Sequence, residues 1–188
     1  MKSTGLIYGL LLFAASFAHS QEAAISFCEE HIDFELDSSY FSINGIYSFY
    51  NPWDKIQIQT IVFPFSGDIH QIDSISVIDL NGLVRLPYIR QNRAISFIIS
   101  VLPQDTLDVN IFYRQKTALK NSYILTSTQA WKQPLKKASY VLTSSIPIVE
   151  KQLSYSCFSK KEIKDKYYYL WKMEDFMPDK DFDVIIME

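Results

Sequence analysis

Histidine is the usual general base and zinc ligand. Beyond residue 20 the chain carries only His31 and His70. His31 lies in Glu29-Glu30-His31, with Asp33 two residues on, and these are ligand types for a metal. Along a strand Glu29, His31 and Asp33 share one face, opposite Ile32 and Phe34, so they read as a solvated polar row. His70 precedes Ile72 in a loop and reads as exposed. Asp179, Asp181 and Asp183 alternate like the opening of a calcium loop, but such a loop needs glycine at its sixth position. Val184 stands there, so a charged turn entering a strand is the better reading. Paired carboxylates could hydrolyse glycosides across a cleft, yet no acidic pair is singled out. There is no G-x-S-x-G elbow for a nucleophilic serine. Phosphate-cradling loops need clustered glycine, and only Gly45, Gly67 and Gly82 follow residue 20. No catalytic, metal or cofactor residue is assigned, and no enzyme activity or cofactor is expected.

Cys28 and Cys157 are the two cysteines. In an oxidising compartment they would form a disulfide closing a long loop; the alternative is two buried free thiols. Neither has an obvious helix N-terminus or basic neighbour to make a reactive thiolate. Lys160, Lys161, Lys164 and Lys166 make a local basic patch, read as a solvated surface. The aromatic residues are the strongest binding candidates. Tyr167, Tyr169 and Trp171 alternate onto one face, and Trp131 stands beside Gln133-Pro134. Core packing is one use for them; an exposed sugar-stacking or protein-contact platform is the other.

The elements that must position these residues are strands. Leu107, Val109, Ile111 and Tyr113 alternate with Asp108 and Asn110, giving one buried and one wet face. The same alternation runs through Cys28–Leu36, Phe41–Tyr50, Ile56–Phe63, Ala94–Leu102, Tyr123–Leu125 and Tyr140–Leu142. Gly45 inside a strand row marks a bulge or a close backbone approach. Asn81-Gly82 between Ile72–Leu80 and Leu83–Tyr88 is the signal of a two-residue hairpin, whose turn needs φ > 0. Gln152–Lys166 reads either as a short helix, with Ser159 and Glu162 as a capping box, or as a strand and charged loop. Tyr167–Trp171 is β-prone, and Phe182–Met187 is a final strand. Many short strands separated by turns predict an all-β antiparallel sandwich.

The chain has 188 residues, enough for one sizeable domain. Met1-Lys2, the apolar run Leu6–Phe17 and Ala18-His19-Ser20 have the order of a secretory signal peptide. The expectation is a signal peptide over 1–20 and a single sandwich domain over 21–188, exported to the periplasm, cell surface or medium. No later run resembles a membrane span. The net charge of −3 argues against nucleic-acid binding, which needs concentrated positive charge.

Several stretches together resemble a family. They are Gly45-Ile46-Tyr47-Ser48-Phe49-Tyr50-Asn51, Phe63-Pro64-Phe65, Ile111-Phe112-Tyr113-Arg114-Gln115, Tyr123-Ile124-Leu125-Thr126-Ser127-Thr128, Trp131, Pro134-Leu135 and Phe176-Met177-Pro178. In this order they resemble exported bacterial β-sandwich ectodomains of unknown function. The resemblance implies an immunoglobulin-like sandwich and no activity. The functional expectation is an exported, non-enzymatic domain acting through contacts with a protein partner. The alternative is a carbohydrate-binding module that stacks a glycan on Trp131, Tyr167, Tyr169 or Trp171.

Overall fold

The computed structural model describes residues 25–67 and 69–186, so the expected signal segment lies outside the described residues. Thirteen strands are described: β1 Ser26–Leu36, β2 Tyr40–Tyr50, β3 Gln57–Pro64, β4 Ile72–Asp79, β5 Val84–Arg85, β6 Tyr88–Gln91, β7 Ala94–Val101, β8 Thr106–Lys116, β9 Lys120–Tyr123, β10 Leu135–Ser144, β11 Ser159–Ile163, β12 Lys166–Phe176 and β13 Phe182–Ile185. Short 3-10 segments cover Ile69–Gln71, Thr126–Trp131 and Glu150–Gln152. The fold is all-β, with sheets packed as a sandwich.

One layer is an eight-stranded sheet in the order β11-β12-β10-β1-β2-β8-β4-β5. A three-stranded sheet, β3-β7-β6, and a two-stranded ribbon, β13-β9, are the other sheets. The core draws on all three: Ile32, Phe34 and Val109 from the large sheet, Phe63, Ile95 and Phe97 from the three-stranded sheet, and Tyr123 and Phe182 from the ribbon. Alternation explains which residues turn inward. In β8, Leu107, Val109, Ile111 and Tyr113 are buried and their neighbours are not.

The large sheet departs from the expected antiparallel pattern at one pair. β1 runs parallel to β10 over Glu29–Leu36 and Lys137–Ser144. A parallel pair needs a long crossover, and here most of the chain lies between the two strands.

The short helix weighed for 152–166 does not form. Leu153 bridges to Val184, Ser159 opens β11, and β11 pairs with β12 up to Ile163↔Lys166. Lys164 and Asp165, between them, have φ of 48° and 59°. Two residues with positive φ are what a type I′ hairpin turn requires. At Asn81-Gly82 the chain does reverse, but through a four-residue loop closed by Asp79↔Val84. There the positive φ falls on Leu83, at 53°, and the Gly82 N–H donates to Asp79 Oδ1 at 2.9 Å.

Candidate functional site

β1 carries an irregularity that the alternation of its apolar residues hides. Phe27 pairs with Phe49 and Glu29 with Ser48, so Cys28 is the extra residue of a β-bulge. A bulge re-aims the side chains on its two sides. Phe27 therefore faces inward together with Glu30, Ile32, Phe34 and Leu36, all buried. Glu30 is only 4% exposed. It belongs to the inner row of β1, not to the polar outer row of Glu29, His31 and Asp33.

The Tyr140 hydroxyl donates to Glu30 Oε1. Nearby, the hydroxyls of Tyr47 and Tyr123 share a hydrogen bond of 2.8 Å. Gly45 makes this arrangement fit. A Cβ there would collide with the ring and hydroxyl of Tyr47, which lies back over the glycine. Burial pushes the Glu30 carboxyl up to about 7, and the Tyr140 hydrogen bond opposes that only in part. Burial, followed by the charge of Glu30, holds the Tyr47 phenol well above its ordinary value. Tyr123 is raised by burial and then by Tyr47. The phenols are neutral donors at any physiological pH.

Glu30, Tyr47 and Tyr123 line one side of a cleft of about 370 Å³ between the sheets. Phe27, Phe49, Ile61, Phe63 and Ile111 form its apolar wall. Trp131, Ser127, Thr128 and Ala130 cover one side of it from the 3-10 turn after β9. The Trp131 ring sits 5.9 Å from Phe27 and 5.7 Å from Phe49, centroid to centroid. It is half-buried. The turn that carries it is tied down: Asp181 Oδ1 accepts from the Thr126 N–H at 3.1 Å and from its hydroxyl at 2.8 Å. Gln129 Nε2 donates to the Pro178 carbonyl at 2.7 Å. Such a cavity falls near the lower end of the roughly 300–1,000 Å³ typical of ligand pockets.

The other aromatic candidates lie elsewhere. Tyr169 and Trp171 are 1% and 2% exposed. The Tyr169 hydroxyl donates to the Ile148 carbonyl at 2.9 Å and accepts from its N–H at 2.6 Å. Trp171 packs edge-on against Phe182 at 5.0 Å, and its Nε1 donates to the Tyr155 carbonyl at 3.1 Å. Tyr167 is half-buried, with Lys160 Nζ 5.7 Å from its ring centre. Alternation does place the three on one face of β12, but that face is turned toward the core.

The thiols are not joined: Cys28 and Cys157 are both free. Cys28 is buried, and its Sγ donates to the Ser48 carbonyl at 3.2 Å. Cys157 packs against the hydrophobic core.

His31 is engaged by its neighbours on the outer face, Nδ1 to Ser139 Oγ at 2.7 Å and Nε2 to Asp33 at 3.3 Å. Asp179, Asp181 and Asp183 go to different partners: Tyr155, Thr126 and the pair Ser122 with Lys120. Among the described residues no group of three or more His, Cys, Asp or Glu is placed to hold a metal. None of their helices is long and apolar enough to cross a membrane.

No family model and no curated protein matches the chain. Solved structures do. The fold is similar to that of a "putative nutrient binding protein" from Legionella pneumophila subsp. pneumophila, with a TM-score of 0.73 and 12% identity over 87% of this chain and 67% of that one. It is also similar to an M1 zinc metallopeptidase from Deinococcus radiodurans, with a TM-score of 0.52 and 9% identity over 86% of this chain. The chain spans 42% of that peptidase's length. At these identities the likeness is one of fold.

Proposed function

We propose that the chain is an exported, non-enzymatic binding domain that holds a small, largely apolar molecule in the cleft under Trp131. The observation that carries this is the cleft itself: an aromatic-walled space between the sheets with Glu30 and the Tyr47–Tyr123 pair among its polar groups. Apolar walls with sparse, placed polar groups are the usual make-up of a small-molecule site. The designation of the Legionella protein, which shares the fold, points the same way. Export is supported by Lys2, Leu6–Phe17 and Ala18-His19-Ser20. The glycan platform loses Tyr169 and Trp171 to the core, which leaves the half-buried Trp131 and Tyr167, in different parts of the fold, as its remaining rings.

The test uses the indole N–H resonances of the protein's three tryptophans. A neutral apolar probe, 2-phenylethanol, is titrated to roughly millimolar concentration. The Trp131 signal should move while those of Trp53 and Trp171 stay. An unmoved Trp131 overturns the reading. Ala130→Trp, which fills the cleft mouth, should abolish the shift.

Contact with a protein partner is the second reading. The outer face of the three-stranded sheet favours it: Ile58 and Ile89 are each 71% exposed, beside Val62 and Ile98. Exposed apolar faces of this kind mark contact surfaces. Sedimentation of the wild type against Ile58→Lys checks whether this face associates.

A further inference from the structure

We infer that the cleft takes a molecule bearing a protonated amine on an apolar or aromatic body, with the ammonium seated against the Glu30 carboxylate; this rests on the reading of the cleft as a ligand site. The first ground is an incomplete carboxyl. Tyr140 engages Oε1, and Oε2 has no hydrogen-bond partner among the described residues. Nor is Oε2 sealed off, since Tyr113 Oη is the one sealed side-chain polar atom among them without a partner. Glu30 lines the cleft.

The second ground is charge. The titratable groups that face Glu30 are phenols: Tyr140 from β10, Tyr47 from β2 and Tyr123 from β9, with Tyr113 of β8 coupled to the last two. Among the described residues no cationic side chain acts on the carboxyl. A buried carboxylate without a cation is costly, so the site is complementary to a positive charge brought from outside. The third ground is the wall. Phe27, Tyr47, Phe49, Phe63 and Trp131 surround the space, and aromatic faces attract a cation through their quadrupole. An anionic ligand would meet Glu30 and those same faces with the wrong sign. An uncharged apolar ligand would gain nothing from the charge of the carboxylate.

The experiment compares 2-phenylethylamine with 2-phenylethanol, near-isosteres that differ in charge, by the Trp131 indole shift of the full chain. The amine stays protonated through the range used, so its affinity follows the ionisation of Glu30. It should bind about tenfold more tightly at about pH 8.5 than at about pH 5.5, while the alcohol should not change. At the higher pH the amine should exceed the alcohol by a similar factor. Glu30→Gln should bring the amine to the level that the alcohol shows in the same variant and remove its pH dependence. If the Gln variant does not fold, the wild-type pair of pH series decides alone. Equal binding of amine and alcohol at both pH values overturns the inference and leaves the cleft reading standing. Failure of both probes to move Trp131 overturns the two together.

Discussion

Tyr140 reaches Glu30 across the parallel pair of β1 and β10, from two residues beyond the position directly opposite. Glu30 pairs with Ala138, and Tyr140 with Ile32. The contact is therefore diagonal, within reach of a long side chain, and the phenol meets the carboxyl on the inner face of the sheet. A glutamate in this position would be an error in a simple apolar core. Here it has one hydrogen bond and a cleft on its open side.

Stability should fall as pH rises from about 4.5 to about 7. The unfolded chain releases the Glu30 proton near 4.5, whereas the folded chain holds it to about 7. Between those values the native state binds the extra proton, so raising the pH favours unfolding, and above about 7 the loss is complete. The loss is on the order of 3 kcal/mol. Glu30→Gln should be the more stable protein at about pH 8 and should lack this slope. Urea denaturation of both at about pH 5 and 8 checks it; parallel pH profiles would mean that Glu30 ionises as freely folded as unfolded.

Removing hydroxyls should give opposite results at neighbouring positions. Tyr113 Oη is buried without a partner among the described residues, so Tyr113→Phe should be neutral or stabilise by up to about 1 kcal/mol. Tyr47→Phe strands the Tyr123 hydroxyl and should cost about 1–2 kcal/mol. The double variant Tyr47→Phe/Tyr123→Phe should recover part of that loss. Additive losses in that cycle would show that the two phenols do not bond.

Gly45→Ala should destabilise by roughly 1–3 kcal/mol, the usual range for overpacking. The methyl would land in the Tyr47 ring, and the ring has Phe63 edge-on at 5.4 Å beyond it. A Gly45→Ala protein as stable as the wild type would show that the ring has room to swing.

The strand content was legible because alternation is a local signal. The rows Leu107–Tyr113 and Ile32–Leu36 appear in the structure as the buried faces of β8 and β1. The parallel partnership of β1 with β10 was not, since nothing in either strand encodes a neighbour a hundred residues away. Turn chemistry misled in both directions. Lys164 and Asp165 occupy the positive-φ positions of a tight hairpin, although glycine and asparagine are the residues expected there. Asn81-Gly82 lies in a wider loop. For the site, the usable clue was parity: Glu30 falls in step with Ile32, Phe34 and Leu36. The bulge at Cys28, which brings Phe27 beside Glu30, has no signature in the sequence.

The cysteines should label separately. Burial, followed by the charge of Glu29, raises the Cys28 thiol, and the residue is buried whereas Cys157 is half-exposed. A thiol reagent at neutral pH should modify Cys157 first and Cys28 slowly, because the thiolate is the reacting form. Two equivalents should react after denaturation without reductant. Recovery of no free thiol would establish a disulfide.

Trp131 and Trp171 should separate binding from stability. Trp171 is enclosed by Phe182 and hydrogen-bonded to Tyr155. Trp171→Ala should cost about 3–5 kcal/mol, as large core truncations do. Trp131 is held on one side only, by Phe27 and Phe49, so Trp131→Ala should cost less. The loss from Trp131→Ala should instead appear in ligand affinity, because removing the ring opens the cleft to water and takes away one of its aromatic faces. Chemical denaturation and probe titration on the two variants give both numbers. Were Trp131→Ala to bind 2-phenylethanol as the wild type does, the cleft under that ring would not be the binding site, whatever the variant does to stability.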